Sequence, residues 1–139
     1  MHPIARNVIA VLAGVVLGSL VNLSLVNLGP LLIPLPEGVD VSSMESLRKG
    51  MVQFSPLNFL FPFLAHALGT LFGAYIAARF AASRPMAMAL FIGVFFLAGG
   101  IAAASMIGGP HWFIVVDLLL AYLPTSLLGA YLARKRPAE

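Results

Sequence analysis

The sequence predicts an all-α integral membrane protein: a four-helix transmembrane bundle with a short amphipathic helix in the loop between the first two spans. Three observations carry that prediction. Of the 139 residues, 60% are hydrophobic and 9% charged, with a mean hydropathy of +1.00. Soluble domains carry roughly 25% charged residues, so lipid has to be the main solvent of this chain. Four stretches reach the roughly 20 apolar residues that a membrane-crossing helix needs. The basic residues cluster at the ends of those stretches, where they act as topology signals. The chain, 1–139, reads as a single transmembrane domain.

Span one is expected over Ala5–Leu28, ended by Gly29-Pro30. Arg6 followed by an apolar run resembles a signal peptide. The run exceeds the roughly 7–15 residues of a signal h-region and no A-x-A-like site follows, so it reads as a retained helix. Span two is expected over Pro56–Ala81, with Ser55 as its cap and Pro56 at the first helical position. Span three covers Pro85–Ile107, stopped by Gly108-Gly109, and span four Pro110–Arg134. Pro62 and Pro124 fall inside spans two and four. Each removes a backbone hydrogen bond, which predicts a kink.

Four alternating spans put Arg6, Arg79, Arg84, Arg134, Lys135 and Arg136 at one end. The other end has Glu37, Asp40 and Glu45 against Arg48 and Lys49. By the positive-inside rule, both termini are cytoplasmic in a multi-pass protein of the cell inner membrane. In the outer loop, Ser42-x-x-Glu45 has capping-box spacing. Met44, Leu47, Met51 and Phe54 share one helical face, and Glu45 and Lys49 are four apart. This is a helix lying on the outer surface as a connector, or a lid over a site.

Small residues recur every fourth position: Ala10, Gly14 and Gly18 in span one; Ala65, Gly69, Gly73 and Ala77 in span two. In lipid, such stripes supply close helix packing, within one chain or between copies. A homo-oligomer or a heteromeric membrane partner is expected, in contact with membrane lipid. Leu71–Arg79 (LFGAYIAAR) resembles Leu127–Lys135 (LLGAYLARK). The match reads as two helices ending in the same way: small residues, an interfacial tyrosine, a snorkelling cation. Duplication of a hairpin is the alternative.

Polar residues at apolar depth are the functional candidates. At 1.5 Å per residue, His66 and Asn22 lie roughly 12 Å below the outer ends of their spans and Asp117 roughly 8–10 Å below its own. Gly99-Gly100 leave space at that level in span three. Intramembrane ionisable residues face the bundle interior and pair, so His66 and Asp117 are the expected pair. Asn22, Ser19 and Thr70 are expected nearby. Asp117 shares a helical face with Ala121 and Pro124. Glu45, Asn58 and His111 are secondary candidates nearer the outer face. Trp112 belongs to an interfacial aromatic belt, and Phe59, Phe61 and Phe63 read as lipid-facing or interfacial bulk.

Several chemistries are excluded. Without cysteine there is no disulfide, thiolate ligand or thiol nucleophile. No Gly-rich phosphate loop, H-E-x-x-H or G-x-S-x-G occurs. A single carboxylate within the spans rules out a two-aspartate intramembrane protease. Metal ligands with diagnostic spacing are missing, so no metal or cofactor is expected. The few interfacial basic residues do not make a nucleic-acid surface. The first expectation for function is a small transporter or channel-like protein with an outward-facing polar site at His66, Asp117 and Asn22. The alternatives are a non-catalytic interaction or assembly subunit held by that pair, and a lipid- or quinone-acting enzyme with His66 as base.

Overall fold

A computed structural model describes residues 1–134, so Lys135 and Arg136 lie outside the described residues. All regular structure among those residues is helical. Four helices are long and apolar enough to cross a membrane: Pro3–Leu32, Pro56–Phe80, Pro85–Ile107 and His111–Leu132. The chain is a multi-pass membrane protein of the four-helix-bundle class.

Helix α1 (Pro3–Leu32) begins on the side chain of His2, which accepts from the Ile4 N–H at 3.4 Å. It does not stop at Gly29-Pro30 as expected but continues a further turn. Pro30 costs the helix one donor, and the Ile33 N–H still reaches the Gly29 carbonyl at 2.8 Å.

The loop helix α2 (Met44–Gly50) is capped by Ser43 with Ser46, not by Ser42 with Glu45. The reason is competition. Asp40 takes both the N–H and the hydroxyl of Ser42, at 2.8 and 2.9 Å, and Glu45 binds Lys49 at 2.6 Å. Two 3₁₀ turns, Met51–Gln53 and Pro56–Phe59, lead into α3 (Leu60–Phe80). Pro62 therefore falls in the first turn of α3, where its missing N–H has no helical partner to lose. The anticipated kink is instead a change of helix type just before it.

Helix α4 (Pro85–Ile107) has the predicted bounds and ends at Gly108, whose φ of 81° favours glycine. Span four is divided in two, α5 (His111–Leu120) and α6 (Leu123–Leu132). Pro124 cannot donate to the Leu120 carbonyl, and the chain turns at Ala121-Tyr122. The Thr125 hydroxyl contacts the carbonyls of Ala121 and Tyr122 at 2.6 and 3.0 Å. In a membrane helix, hydroxyl side chains beside a proline supply such bonds to carbonyls at the break.

Helix α3 is the centre of the bundle, packed on α1, α4 and α6. A Cβ on Gly14 would stand 2.5 Å from the Gly73 carbonyl oxygen, and one on Gly18 2.6 Å from that of Gly69. Gly73 and Gly129 occupy the same place in the repeated LxGAY segment but meet different partners. Gly73 faces α1, whereas Gly129 faces α3, where an added Cβ would stand 2.6 Å from the Leu71 carbonyl oxygen. The core next to this crossing is built of Ala74, Ala77, Ala78, Ala89, Ile92, Ala130 and Ala133. Small side chains bring helices close enough for dispersion to hold them without an aqueous driving force.

At the end of the bundle that carries the termini, Arg6 donates to the Phe80 carbonyl at 2.9 Å. The Asn7 side chain accepts from Ala82 N–H at 2.8 Å and donates to Ser83 at 3.0 Å. These bonds tie the α3–α4 turn to α1. This end is called the arginine end below, and the opposite one the loop end.

Candidate functional site

In the loop-end half of the bundle, α3 carries His66 and α5 carries Asp117. The His66 Nδ1 lies 2.8 Å from Oδ1 and 2.9 Å from Oδ2 of Asp117. The Tyr122 hydroxyl donates to Oδ2 of the same carboxylate at 3.0 Å. The Tyr122 ring stacks on the imidazole with centroids 5.7 Å apart. Asp117 is nearly sealed, with 6% of its side chain exposed against 25% for His66. A carboxylate only accepts, so with Asp117 ionised Nδ1 carries the ring proton. Nε2 is then the atom left to exchange a proton or a hydrogen bond.

Tyr122 is the member that sequence reasoning missed. It sits where the chain turns between α5 and α6, and no helical periodicity through an unbroken span four would aim it at Asp117. The available signal was Gly100. A Cβ there would collide with the Tyr122 hydroxyl, so the space at this level in α4 is the socket of a tyrosine. Gly99 faces no atom within 4 Å and keeps its side open.

His66 lines two cavities. One, of about 230 Å³, lies under the loop and is mostly apolar; Leu47, Met51 and Phe54 of the loop region face His66 and Asp117 across it. The other, of about 380 Å³, is lateral, between α1 and α4, and is lined by Ser19, Asn22, Gly99 and Tyr122 along with His66. Asn22 and Ser19 thus stand near the pair, and the Asn22 amide has no side-chain hydrogen bond among the described residues.

Other candidates fall elsewhere. Thr70 is 1% exposed and lines neither cavity; its hydroxyl is buried without a partner among the described residues. It lies one turn further into the packed core than His66. Asn58 is a structural bracket: its side chain accepts from the N–H and hydroxyl of Ser55, each at 2.9 Å, and donates to the Pro34 carbonyl at 3.1 Å. Glu45 is occupied by Lys49 on the exposed face of α2. His111 is exposed at the start of α5, away from both cavities.

Two residues face otherwise than helical periodicity predicts. Phe59 is not lipid-facing bulk but 4% exposed, against Phe54, Trp112 and Phe113 at centroid distances of 5.7, 5.5 and 4.7 Å. The 3₁₀ turn at Pro56–Phe59 rotates it inward. Pro124 does not share the buried face of Asp117 and Ala121: the break at Tyr122 turns it outward.

No group of three or more His, Asp or Glu side chains that could hold a metal ion occurs among the described residues. Compared with known protein families, curated proteins and solved structures, the chain matches none of them.

Proposed function

We infer that this chain binds an amphiphile of the lipid or quinone class in one leaflet of the membrane, with the ligand's polar head at His66. The observation that carries this reading is that His66 has Nδ1 held by Asp117 while its ring borders both a mostly apolar cavity under the loop and a lateral cleft. A purely structural His–Asp tie has no need of space on two sides. The lateral cleft offers Asn22 and Ser19 as further hydrogen-bonding groups, and its position between α1 and α4 offers entry from lipid. Asp117 positions the imidazole, and Nε2 accepts a hydrogen bond or a proton from the head group.

Transport is the second reading. The polar groups at the lateral cleft, Ser19, Asn22 and His66, favour it. A route through one chain would have to pass the arginine-end half, where glycine and alanine contacts close the bundle. A pore would therefore need a second copy. The orientation that goes with both readings is the inner membrane with both termini cytoplasmic. Arg6, Arg79, Arg84 and Arg134 at one end support it.

The test is thermal stability of the purified protein in mild detergent, titrated with a short-chain ubiquinone and, separately, with a lysophospholipid. A saturable rise in Tm with one of them is expected for the parent, absent in His66→Ala and reduced in Asn22→Leu. A parent insensitive to both probes, or an His66→Ala variant that responds as the parent does, rejects the reading.

A further inference from the structure

The arginine end contains a second candidate site, independent of His66. A groove of about 840 Å³ opens where α3, the α3–α4 turn and α6 meet. Arg79, Arg84 and Arg134 line it, over an apolar floor that includes Leu90, Ala130 and Ala133. None of these three guanidinium groups has a hydrogen bond or ion pair among the described residues; Arg134 lies over the Tyr131 ring at 5.6 Å. Arg6, by contrast, is occupied by the Phe80 carbonyl at 2.9 Å. The carboxylates of the described residues, Glu37, Asp40, Glu45 and Asp117, all lie in the loop or the loop-end half. Nothing acidic in the described structure neutralises the groove.

The turn also holds Arg84 in an unusual state. Its φ of 50° and ψ of 52° are left-handed, at the N-cap of α4, with no side-chain cap on that helix end. An L-residue pays conformational energy there that glycine would not. The arginine is kept where the local backbone favours glycine, and its side chain is delivered to the groove. Interfacial anchoring alone needs cations spread around the bundle. Here three converge on one cleft whose floor is apolar.

We propose that this groove binds an anionic phospholipid, its phosphate among Arg79, Arg84 and Arg134 and an acyl chain along Ala130, Ala133 and Leu90. Guanidinium forks match phosphate oxygens bidentately. Basic pockets between membrane helices select anionic head groups, with each arginine near the surface contributing about fivefold in affinity.

Native mass spectrometry from mild detergent tests it, with phosphatidylglycerol and phosphatidylcholine supplied in equal amounts. The parent retains phosphatidylglycerol preferentially. Arg79→Gln and Arg134→Gln each lower that retention about fivefold. Arg84→Gly does the same while relieving the left-handed backbone, so its loss of lipid is not a loss of fold. Arg48→Gln, at the loop end, leaves retention unchanged. Equal retention of the two lipids, or an equal loss in Arg48→Gln, overturns the proposal. So does a Tm rise with inorganic phosphate as large as that with phosphatidylglycerol, which would make the groove a site for a soluble anion.

Discussion

His66 of α3 and Asp117 of α5 are 51 positions apart in the chain and 2.8 Å apart in space. The bond joins the central helix to the first half of the broken fourth span. Asp117 is the buried carboxylate, and its two protein donors, His66 and Tyr122, have their rings stacked 5.7 Å apart beside it.

Removing His66 takes one of two donors from a buried carboxyl group. His66→Ala is expected to destabilise the protein by about 3–5 kcal/mol, the cost of breaking a buried pair on one side. Asp117→Asn removes the charge with the shape kept and costs about 1–3 kcal/mol. The double variant should fall short of the sum by about 1 kcal/mol or more. Unfolding in detergent measures all three, and strictly additive effects would contradict the contact.

Tyr122 and Gly100 are expected to couple. Gly100→Ala drives a methyl into the phenol and should cost about 1–3 kcal/mol. In a Tyr122→Leu background the same change meets no hydroxyl and should cost clearly less. Tyr122→Phe alone keeps the ring and loses one hydrogen bond, about 0.6–1.7 kcal/mol by the values typical within membranes. Equal costs of Gly100→Ala in both backgrounds would show that the socket is not filled by Tyr122.

At the α1–α3 crossing, Gly14→Val should lower stability by at least about 1–3 kcal/mol, because its Cβ meets backbone that cannot swing away. Gly99→Ala is the matched control. It faces open space and should be neutral or stabilising by up to about 1 kcal/mol through helix propensity. If both changes cost the same, glycine at the crossing is not there for close approach.

Asp40 gives a pH-dependent prediction outside the spans. The Ser42 backbone N–H, then the Ser42 hydroxyl, bind its ionised carboxylate and hold its pKa below the usual 3.8. A lowered folded pKa means that the stabilisation is present above the unfolded value and lost as pH falls through the folded one. The Ser42 amide resonance should therefore titrate with a midpoint below 3.8, and Asp40→Asn should abolish that titration. A midpoint at or above the usual value would show that the turn does not bind the carboxylate.

Much of this architecture is legible in the chain because it depends on local quantities. Ile107 ends α4 where Gly108-Gly109 say it should, and apolar length alone identifies the spans. Depth and the cost of burial pair His66 with Asp117, and a linear sequence encodes both through helix rise. The departures from helical periodicity share one origin. Ser42 lost its capping role to Asp40, Phe59 turned inward on a 3₁₀ turn, and Tyr122 reached Asp117 across a break. Each depends on a choice between competing local bonds or on a departure from the ideal helix, which periodicity assumes away.

What the sequence determined by itself is therefore a four-span membrane chain, the ends at which its arginines collect, and the layer in which its ionisable residues lie. Partition into lipid acts residue by residue, so composition along the chain is sufficient for it. The tertiary structure alone decided that a tyrosine completes the His66–Asp117 pair, that His66 borders two cavities, and that three arginines from three segments line one groove. Those features arise where helices cross, and the crossing geometry is set by backbone approach at Gly14, Gly18, Gly69, Gly73 and Gly129, contacts between residues far apart in the chain.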